Sequence, residues 1–323
     1  MLNNKIIITG ITGFLGSSFA QYYFQKNFQI TGLARKMSAD CVYPVILTSY
    51  SVPELYDIIN RLTPDIVIHA AGAASVKNSL DNPVEDFNKS VTLFQSLLEA
   101  IRLSKHRPLV VFPSSAAVYG NPEILPIKEN TPLNPISPYG YHKFMCELLA
   151  KEYSFCYNIP VFVARLFSVF GPKQKRLLLW EIFDQFQNNS EVVIQGTGDE
   201  SRDYIYVDDL AEAIYQILLK FEQGVATPCS LLNIASGKSV YIKDVVYKIK
   251  EYLNSEKPVV FKGNKLKGNP SNWCADISAY LNMVEFTKSL SFEKRLKTLI
   301  TTWQNNIPSP RPSPSKGEVA WLV

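Results

Sequence analysis

The stretch that decides the fold is residues 5–16, which reads Lys5-Ile6-Ile7-Ile8-Thr9-Gly10-Ile11-Thr12-Gly13-Phe14-Leu15-Gly16. Its apolar start predicts a buried strand over 5–9, and the pattern after the glycines predicts a helix over 14–25. Gly10 permits a tight turn, Gly13 lets a ligand approach the backbone, and Gly16 lets helix and strand pack closely. Phosphates bind at such a helix N-terminus because its free N–H groups face them. The stretch therefore predicts a dinucleotide-binding turn formed by Gly10, Thr12, Gly13, Phe14, Leu15 and Gly16.

Outward from this turn, short apolar runs alternate with helical patterns through the first half of the chain. Strands are predicted over 5–9, 29–34, 65–69, 109–113 and 161–167, and helices over 14–25, 53–62, 83–103 and 139–157. This alternation is typical of right-handed βαβ units. The sequence therefore predicts an α/β fold with a Rossmann-type, doubly wound parallel sheet.

The second half is less regular and predicts a smaller C-terminal substrate-binding domain. Helices are expected over 178–188, 207–221, 241–253 and 292–305, with a strand over 231–235. We expect residues 1–167, joined by about 204–240, to form the dinucleotide-binding domain, and 168–203 with 241–307 to form the substrate domain. Residues 308–323 are rich in proline and are predicted to be a disordered tail.

Composition excludes several classes of function. Hydrophobic residues make up 46% of the 323 and charged residues 19%, with a net charge of +4, as in an ordinary globular protein. The basic residues form no stripe, which argues against a nucleic-acid partner. Five scattered cysteines and three histidines lack metal-ligand spacing and favour free thiols in a reducing compartment. No apolar run approaches the roughly 20 residues of a membrane span, so a cytoplasmic protein without a metal or membrane is expected.

The end of the second predicted strand bears on the choice of dinucleotide. A site for NAD usually places an Asp or Glu there to bind the ribose 2′-hydroxyl, whereas a cation accommodates the 2′-phosphate of NADP. This chain has Arg35 there and no carboxylate. NADP is therefore preferred over NAD, the alternative being that Arg35 is only a solvated surface residue.

Further candidate site residues follow the carboxyl ends of later predicted strands. Ala70, Ala71 and Gly72 follow the strand at 65–69 and leave room for a ring beside the backbone. Ser114 and Ser115 end the next strand.

A tyrosine–lysine pair opens the helix at 139–157. Tyr139 and Lys143 are four residues apart and share one helix face. Free tyrosine ionises only near pH 10, with a pKa of about 10, but a neighbouring ammonium stabilises the phenolate. Tyr139 is therefore predicted to take a proton from an alcohol, with Ser115 holding the substrate oxygen. Tyr141 has no lysine four residues on and is the weaker candidate.

Together these pieces resemble the extended short-chain dehydrogenase/reductase family, in its NAD-dependent nucleotide-sugar epimerase, dehydratase and reductase branch. The likeness covers about residues 5–300 and extends to Asn88, to Arg165 through Pro172, to Arg202 through Asp209 and to Asn233 through Gly237. It implies that Asn88 supports the cofactor site and that Arg202 binds the diphosphate of a nucleotide-diphosphate sugar. An ion pair with Asp203 or Asp208 is the alternative for Arg202. For Arg165 a structural role is favoured.

Departures from the family pattern narrow the activity. Ala116 and Ala117 stand where sugar dehydratases of the family have an Asp and a Glu, so dehydration is not expected. Ser168 replaces an asparagine that contacts the diphosphate in many relatives, and the third strand ends without the acidic residue that often holds adenine.

Two enzymatic hypotheses remain. The first is a 4-epimerase that works through a 4-keto sugar. The second is an NADPH-dependent reductase of a 4-keto-6-deoxy nucleotide sugar. A non-catalytic NAD(P)-binding scaffold is a third, which the presence of Ser115, Tyr139 and Lys143 disfavours. The resemblance also implies a possible homodimer packed through the helices at 83–103 and 139–157.

Overall fold

The computed structural model describes residues 4–224, 229–263, 268–284 and 290–306. The predicted tail at 308–323 lies outside the described residues. The first half contains β1 (Lys5–Thr9), α1 (Phe14–Gln25), β2 (Gln29–Ala34), β3 (Val45–Leu47), α2 (Val52–Leu62), β4 (Ile66–His69), α3 (Val76–Asp81), α4 (Pro83–Phe87), α5 (Leu93–Leu103), β5 (Leu109–Ser115), α6 (Pro138–Tyr157) and β6 (Val161–Leu166).

The second half contains shorter strands and four longer helices. In chain order they are β7 (Ser168–Phe170), α7 (Leu177–Asn188), β8 (Val192–Ile194), β9 (Ser201–Tyr206), α8 (Val207–Glu222), β10 (Cys229–Ile234), β11 (Ser239–Tyr241), α9 (Ile242–Tyr252), β12 (Val259–Phe261), α10 (Ser278–Met283) and α11 (Phe292–Asn306). None of the helices within the described ranges combines the length and apolar character needed to cross a bilayer.

The main sheet has seven strands in the order β10-β6-β5-β4-β1-β2-β3, and all its pairings are parallel. β1 is an interior strand between β4 and β2, and its residues Ile6, Ile7 and Ile8 are buried on both faces of the sheet. A strand buried on both faces needs a continuous apolar run, which is what β1 has. The predicted Rossmann-type α/β fold is confirmed.

Two hydrophobic layers cover the faces of this sheet. One contains side chains of α1 and α8, such as Phe19 and Ile214, against Ile8 of β1. The other contains side chains of α2, α5 and α6, such as Phe94 and Ala150, against the opposite face. Since helices cover both faces, the open end of the sheet at the carboxyl ends of its strands is left for a ligand.

A separate apolar cluster holds the second half together. It joins α7, α9 and α11 through side chains that include Phe183, Val245 and Trp303, and it includes Phe170 of β7. Here β9 lies between β7, which runs parallel to it, and β11, which runs antiparallel. β8 and β12 form a second small parallel pair.

The structure differs from the sequence prediction in the region 76–103. The helix expected over 83–103 is interrupted by a π-helical turn at Asn88–Thr92, and a short helix, α3, precedes it. A π turn inserts one residue into the helical repeat without breaking the apolar pattern, so periodicity does not reveal it. β5 also runs two residues beyond its predicted end, to Ser115.

Candidate active site

The turn after β1 is built so that only glycine fits at its two ends. Gly10 has a φ of +67°, and a Cβ there would lie 2.7 Å from the Cα of Ala71. A Cβ on Gly16 would lie 2.3 Å from the carbonyl oxygen of Gly10. The glycines therefore let the turn pass close to β4 and let α1 begin directly against β1.

The N-terminus of α1 faces this turn without a competing cap. Gly13 precedes the helix, makes no side-chain cap, and no acidic residue lies in the first turn. The N–H groups of Phe14, Leu15 and Gly16 have no acceptor within the helix because they belong to its first turn. Thr12 and Gly13 are exposed beside them. This donor set fits the pyrophosphate of a dinucleotide.

The end of β4 is fixed against the end of β1. The Oγ1 of Thr9 is hydrogen-bonded to Nδ1 of His69 at 3.0 Å and accepts the N–H of Ala71 at 3.1 Å. His69 is buried, and its burial lowers its pKa to about 3, so its ring is neutral at pH 7. These bonds place Ala70, Ala71 and Gly72 beside the glycine turn.

Arg35 and Asn88 line one cleft of about 590 Å³. Arg35 is exposed at the end of β2, and Asn88 begins the π-helical turn across from it. Lys89, which also lines the cleft, is paired with Glu85. The cleft therefore unites two residues that the sequence assigned to the cofactor on separate grounds.

The side chain of Lys143 extends from α6 to β5. Its Nζ donates to the carbonyl oxygen of Pro113 at 2.8 Å and lies 5.9 Å from the centre of the Tyr139 ring and 4.9 Å from that of Phe112. Lys143 is buried, whereas Tyr139 is half-buried. Within the described ranges no carboxylate forms an ion pair with Lys143. Its charge is therefore directed at Tyr139 and at whatever binds beside it.

Ser115 is positioned by a tight turn that packs on the start of α6. Its Oγ accepts the N–H of Ala117 at 3.2 Å, at the start of the 3₁₀ turn Ala116–Tyr119. Gly140 follows Tyr139, and a Cβ there would lie 2.6 Å from the carbonyl oxygen of Ala117. The absence of a side chain at Gly140 thus lets the Ser115 turn and Tyr139 come together.

Two supports of Tyr139 and Lys143 were missed from the sequence. The Oγ of Ser79 in α3 accepts the N–H of Tyr139 at 3.1 Å. Nδ1 of His142 lies 2.5 Å from Oδ1 of Asp86, and both side chains are buried between α4 and α6. Asp86 is two residues before Asn88, so this pair joins the cofactor cleft to the Tyr–Lys helix. Its residues are far apart in sequence and carry no spacing signal.

A buried polar network underlies the site. Glu147, one turn after Lys143, accepts three hydrogen bonds from Arg165 and one from Ser114 Oγ. Arg165 also donates to the hydroxyl of Tyr119, which donates in turn to Asn233 Oδ1. Ser114 is part of this network, whereas Ser115 binds the N–H of Ala117, and the buried pair with Glu147 fits the structural role favoured for Arg165.

Arg202 is a half-buried arginine of β9. Its guanidinium donates to the carbonyl oxygens of Ser201 and Ser271 and lies 5.5 Å from the Trp273 ring. In the part of the chain that is described, no carboxylate pairs with it, and burial lowers its pKa. Asp203, the alternative partner, instead accepts N–H groups of Ser236, Gly237 and Ala275.

Ser168 lies on β7, in register with Tyr204, two residues from Arg202 on the neighbouring strand. The structure thus places Ser168 and Arg202 in one small sheet. A half-buried guanidinium that no carboxylate pairs with, among the residues the structure describes, is suited to an anionic ligand.

The comparisons with known proteins agree with this geometry. Residues 6–235 match the model of the NAD dependent epimerase/dehydratase family. A putative UDP-glucose 4-epimerase of Methanocaldococcus jannaschii is 29% identical over 274 residues, which cover 82% of this chain and 86% of that protein.

Two solved structures carry the likeness further. The UDP-N-acetylglucosamine 4-epimerase of Methanobrevibacter ruminantium in complex with UDP-N-acetylmuramic acid superposes with a TM-score of 0.83 at 26% identity, covering 95% of this chain and all of that one. The UDP-glucose 4-epimerase of Brucella ovis in complex with NAD gives 0.81 at 25% identity, covering 93% and 97%.

Proposed function

Because the chain belongs to the NAD dependent epimerase/dehydratase family, we propose that it is an NAD(P)-dependent nucleotide-sugar 4-epimerase. The observation that carries this is the placement of Lys143 beside Tyr139, with Ser115 brought to the start of the same helix. Of the relatives named above, the two with solved structures are 4-epimerases of UDP-sugars, and the Methanocaldococcus jannaschii protein is named as a putative one. They give the reductase hypothesis no comparable support.

In the proposed reaction, Tyr139 removes the proton of the sugar 4-hydroxyl while Ser115 holds that oxygen by a hydrogen bond. A dinucleotide held at the Gly10 turn would supply the nicotinamide as the acceptor, and later the donor, of the hydride at C4. The ammonium of Lys143 stabilises the phenolate form of Tyr139. The 4-keto sugar would then present its other face, and return of the hydride to that face inverts C4. Tyr139 gives the proton back to the 4-oxygen, so the oxidation state is unchanged overall.

The residues around Tyr139 also disfavour dehydration. Ala116 and Ala117 are buried beside Ser115 and contain no group that transfers a proton. Loss of water from a sugar needs an acid and a base at the adjacent carbons. The site therefore has the proton chemistry for C4 alone.

We propose that NADP is preferred over NAD. Arg35 is the exposed cation at the end of β2, and it lines the same cleft as Asn88. A guanidinium there favours a 2′-phosphate. The Brucella ovis relative was solved with NAD, so separate dissociation constants for the two dinucleotides decide this point.

The proposed ligand of Arg202 and Ser168 is the diphosphate of the nucleotide sugar. We propose that residues 1–167 with about 204–240 bind the dinucleotide and that 168–203 with 241–307 bind the sugar nucleotide. Two observations support the division, namely the separate apolar cluster around Phe183 and Trp303 and the position of β10 in the main sheet. A cytoplasmic location stays a prediction.

A homodimer through α5 and α6 is also proposed. Four apolar side chains on α6 are exposed at helical spacing, namely Tyr141, Met145, Leu148 and Phe155. Phe155 is the most exposed of them, at 86%. Such a stripe is unusual on a solvated helix. Light scattering of the wild type and of Leu148→Glu tests it; a monomeric wild type overturns it.

The test of the proposed function is turnover of UDP-sugars by the purified protein, beginning with UDP-glucose and UDP-N-acetylglucosamine and followed by chromatography of the products. An epimerase gives the C4 epimer without net consumption of dinucleotide. Consumption of NADPH with a 4-keto-6-deoxy nucleotide sugar, and no epimerisation, would instead establish the reductase. A purified protein that binds neither NAD nor NADP would overturn both the epimerase and the reductase hypotheses.

A further inference from the structure

Tyr50 occupies an unusual position beside the dinucleotide turn. It follows β3 with a φ of +67°, a left-handed conformation that a bulky residue rarely adopts, and it is 5% exposed. The loop holds this conformation, since the Tyr50 N–H donates to Thr48 Oγ1 at 2.9 Å, and Thr48 donates to Glu54 at 2.5 Å. Strain of this kind persists where surrounding contacts fix it, and it is concentrated at functional sites.

The hydroxyl of Tyr50 joins the ends of two strands. It donates to the carbonyl oxygen of Leu33 at 2.8 Å and accepts the N–H of Gly10 at 3.2 Å. The Gly10 N–H is also directed at Leu33 O, at 2.8 Å. Tyr50 thus completes a triangle between the first glycine of the phosphate turn and the residue two before Arg35.

The ring of Tyr50 supports Arg35 itself. The Arg35 guanidinium carbon lies 5.9 Å from the ring centre, within the range of a cation–π contact. Among the residues that the structure describes, Arg35 has no ion-pair partner. The ring is therefore the contact that restricts where this otherwise solvated side chain lies.

We propose that Tyr50 is a positioning residue for the adenosine end of the dinucleotide: its hydroxyl fixes the Gly10 turn, and its ring holds Arg35 opposite the ribose 2′-position. The inference rests on the proposed function, because it needs a dinucleotide in this cleft. It assigns different effects to the two parts of one side chain. Loss of the hydroxyl weakens NAD and NADP alike, whereas loss of the ring weakens NADP further.

The experiment measures dissociation constants of NAD and NADP by fluorescence titration of the full chain, freed of any retained nucleotide. Tyr50→Phe is expected to weaken both dinucleotides about threefold at an unchanged ratio. Tyr50→Leu is expected to weaken both dinucleotides as well and, in addition, to lower the ratio of NADP affinity to NAD affinity about fivefold relative to the wild type. In an Arg35→Ala background, the same Tyr50→Leu change is expected to leave the ratio unaltered, since the ring then has no guanidinium to hold.

Matched controls separate this from a general loss of structure. Tyr56→Phe removes the hydroxyl of an exposed tyrosine on α2, and Arg61→Ala removes an exposed cation of the same helix. Both are expected to bind the dinucleotides as the wild type does. If Tyr50→Leu does not fold, Tyr50→Met replaces it, because an unbranched side chain fills irregular space.

Each outcome decides the inference. Wild-type affinities in Tyr50→Phe and Tyr50→Leu overturn it, as does a change of ratio that persists without Arg35. A wild-type protein that binds neither dinucleotide overturns the proposed function and this inference together. A protein that binds them but ignores Tyr50 overturns the inference alone.

Discussion

Lys143 lies one helical turn after Tyr139, with its ammonium 5.9 Å from the centre of the Tyr139 ring, and a main-chain carbonyl holds it there. The carbonyl is that of Pro113 in β5, 2.8 Å from Nζ. A carboxylate at this point would neutralise the ammonium, whereas a carbonyl orients it and leaves its charge in place. The first two predictions depend on this relationship, because the proposed role of Tyr139 as a base requires a cation beside its ring.

Replacing Tyr139 by Phe is expected to lower kcat by about 10²- to 10⁴-fold, the usual contribution of general acid–base catalysis. The dinucleotide stays bound, since the ring remains. The measurement is epimerisation rate together with nucleotide content of the protein. Tyr141→Phe is the matched control, because Tyr141 is exposed, lies two residues after Tyr139 and has no lysine four residues further on. Equal rates in the two variants would remove Tyr139 from the mechanism.

Lys143→Met is expected to lower kcat by at least about 10²-fold, because the phenolate of Tyr139 loses its nearby cation. Methionine fills much of the same volume beside Phe112, so the fold should persist. Steady-state kinetics and circular dichroism measure the two effects. Lys151→Met on the same helix serves as the control. A folded Lys143→Met protein with the wild-type kcat would contradict the assignment.

Arg202→Ala is expected to raise KM for the nucleotide sugar by about 10- to 100-fold, since a charge-assisted bond contributes about 1.5–3 kcal/mol. The change in kcat should be smaller, because the diphosphate lies away from the reacting carbon. Arg102→Ala, which removes the arginine of the half-buried Arg102–Glu99 pair of α5, is the control. If Arg202→Ala lowered kcat at a constant KM, Arg202 would not contribute to binding of the nucleotide sugar before the reaction.

The sequence predicted the parts of this site that follow local patterns. The Gly10 turn, Ser115 at a strand end and the Tyr139–Lys143 spacing are all readable from periodicity, and their neighbours in space follow from the parallel sheet. The supports of the site were not readable. Asp86 meets His142 across 56 residues, and Tyr50 reaches Gly10 across 40. Such contacts depend on tertiary packing between elements, which a single sequence does not encode as spacing.

The buried Arg165–Glu147 pair predicts a strong effect on stability. Arg165→Met leaves the Glu147 carboxylate buried without its partner and is expected to lower the free energy of unfolding by about 3–5 kcal/mol. Replacing both by Met is expected to recover much of that loss, because no unpaired charge remains. Denaturant unfolding of the three proteins measures this. Lys243→Met, at the exposed Lys243–Asp199 pair, should change stability by less than about 1 kcal/mol. Additive losses in the double variant would mean that the two side chains do not act as a pair.

His69 predicts how stability depends on pH. Its burial lowers its pKa to about 3 in the folded chain, against about 6.5 in an unfolded one. Since the depressed pKa favours the neutral ring, His69 contributes stability fully above pH 6.5, and this contribution is lost as the pH falls toward 3. Between pH 6.5 and 5 the loss is about 1.6 kcal/mol, because the histidine of the unfolded chain is half-protonated at pH 6.5 and almost fully protonated at pH 5.

The variant His69→Asn tests this, because asparagine keeps an acceptor for Thr9 but does not titrate. It is expected to be less stable than the wild type at pH 7, where it loses the ring contacts with Phe94 and Phe112. Its unfolding free energy should then fall less steeply between pH 6.5 and 5. His106→Asn, at a half-buried histidine outside this cluster, is the control. A wild-type slope in His69→Asn, measured by urea unfolding at each pH, would place the acid sensitivity elsewhere in the chain.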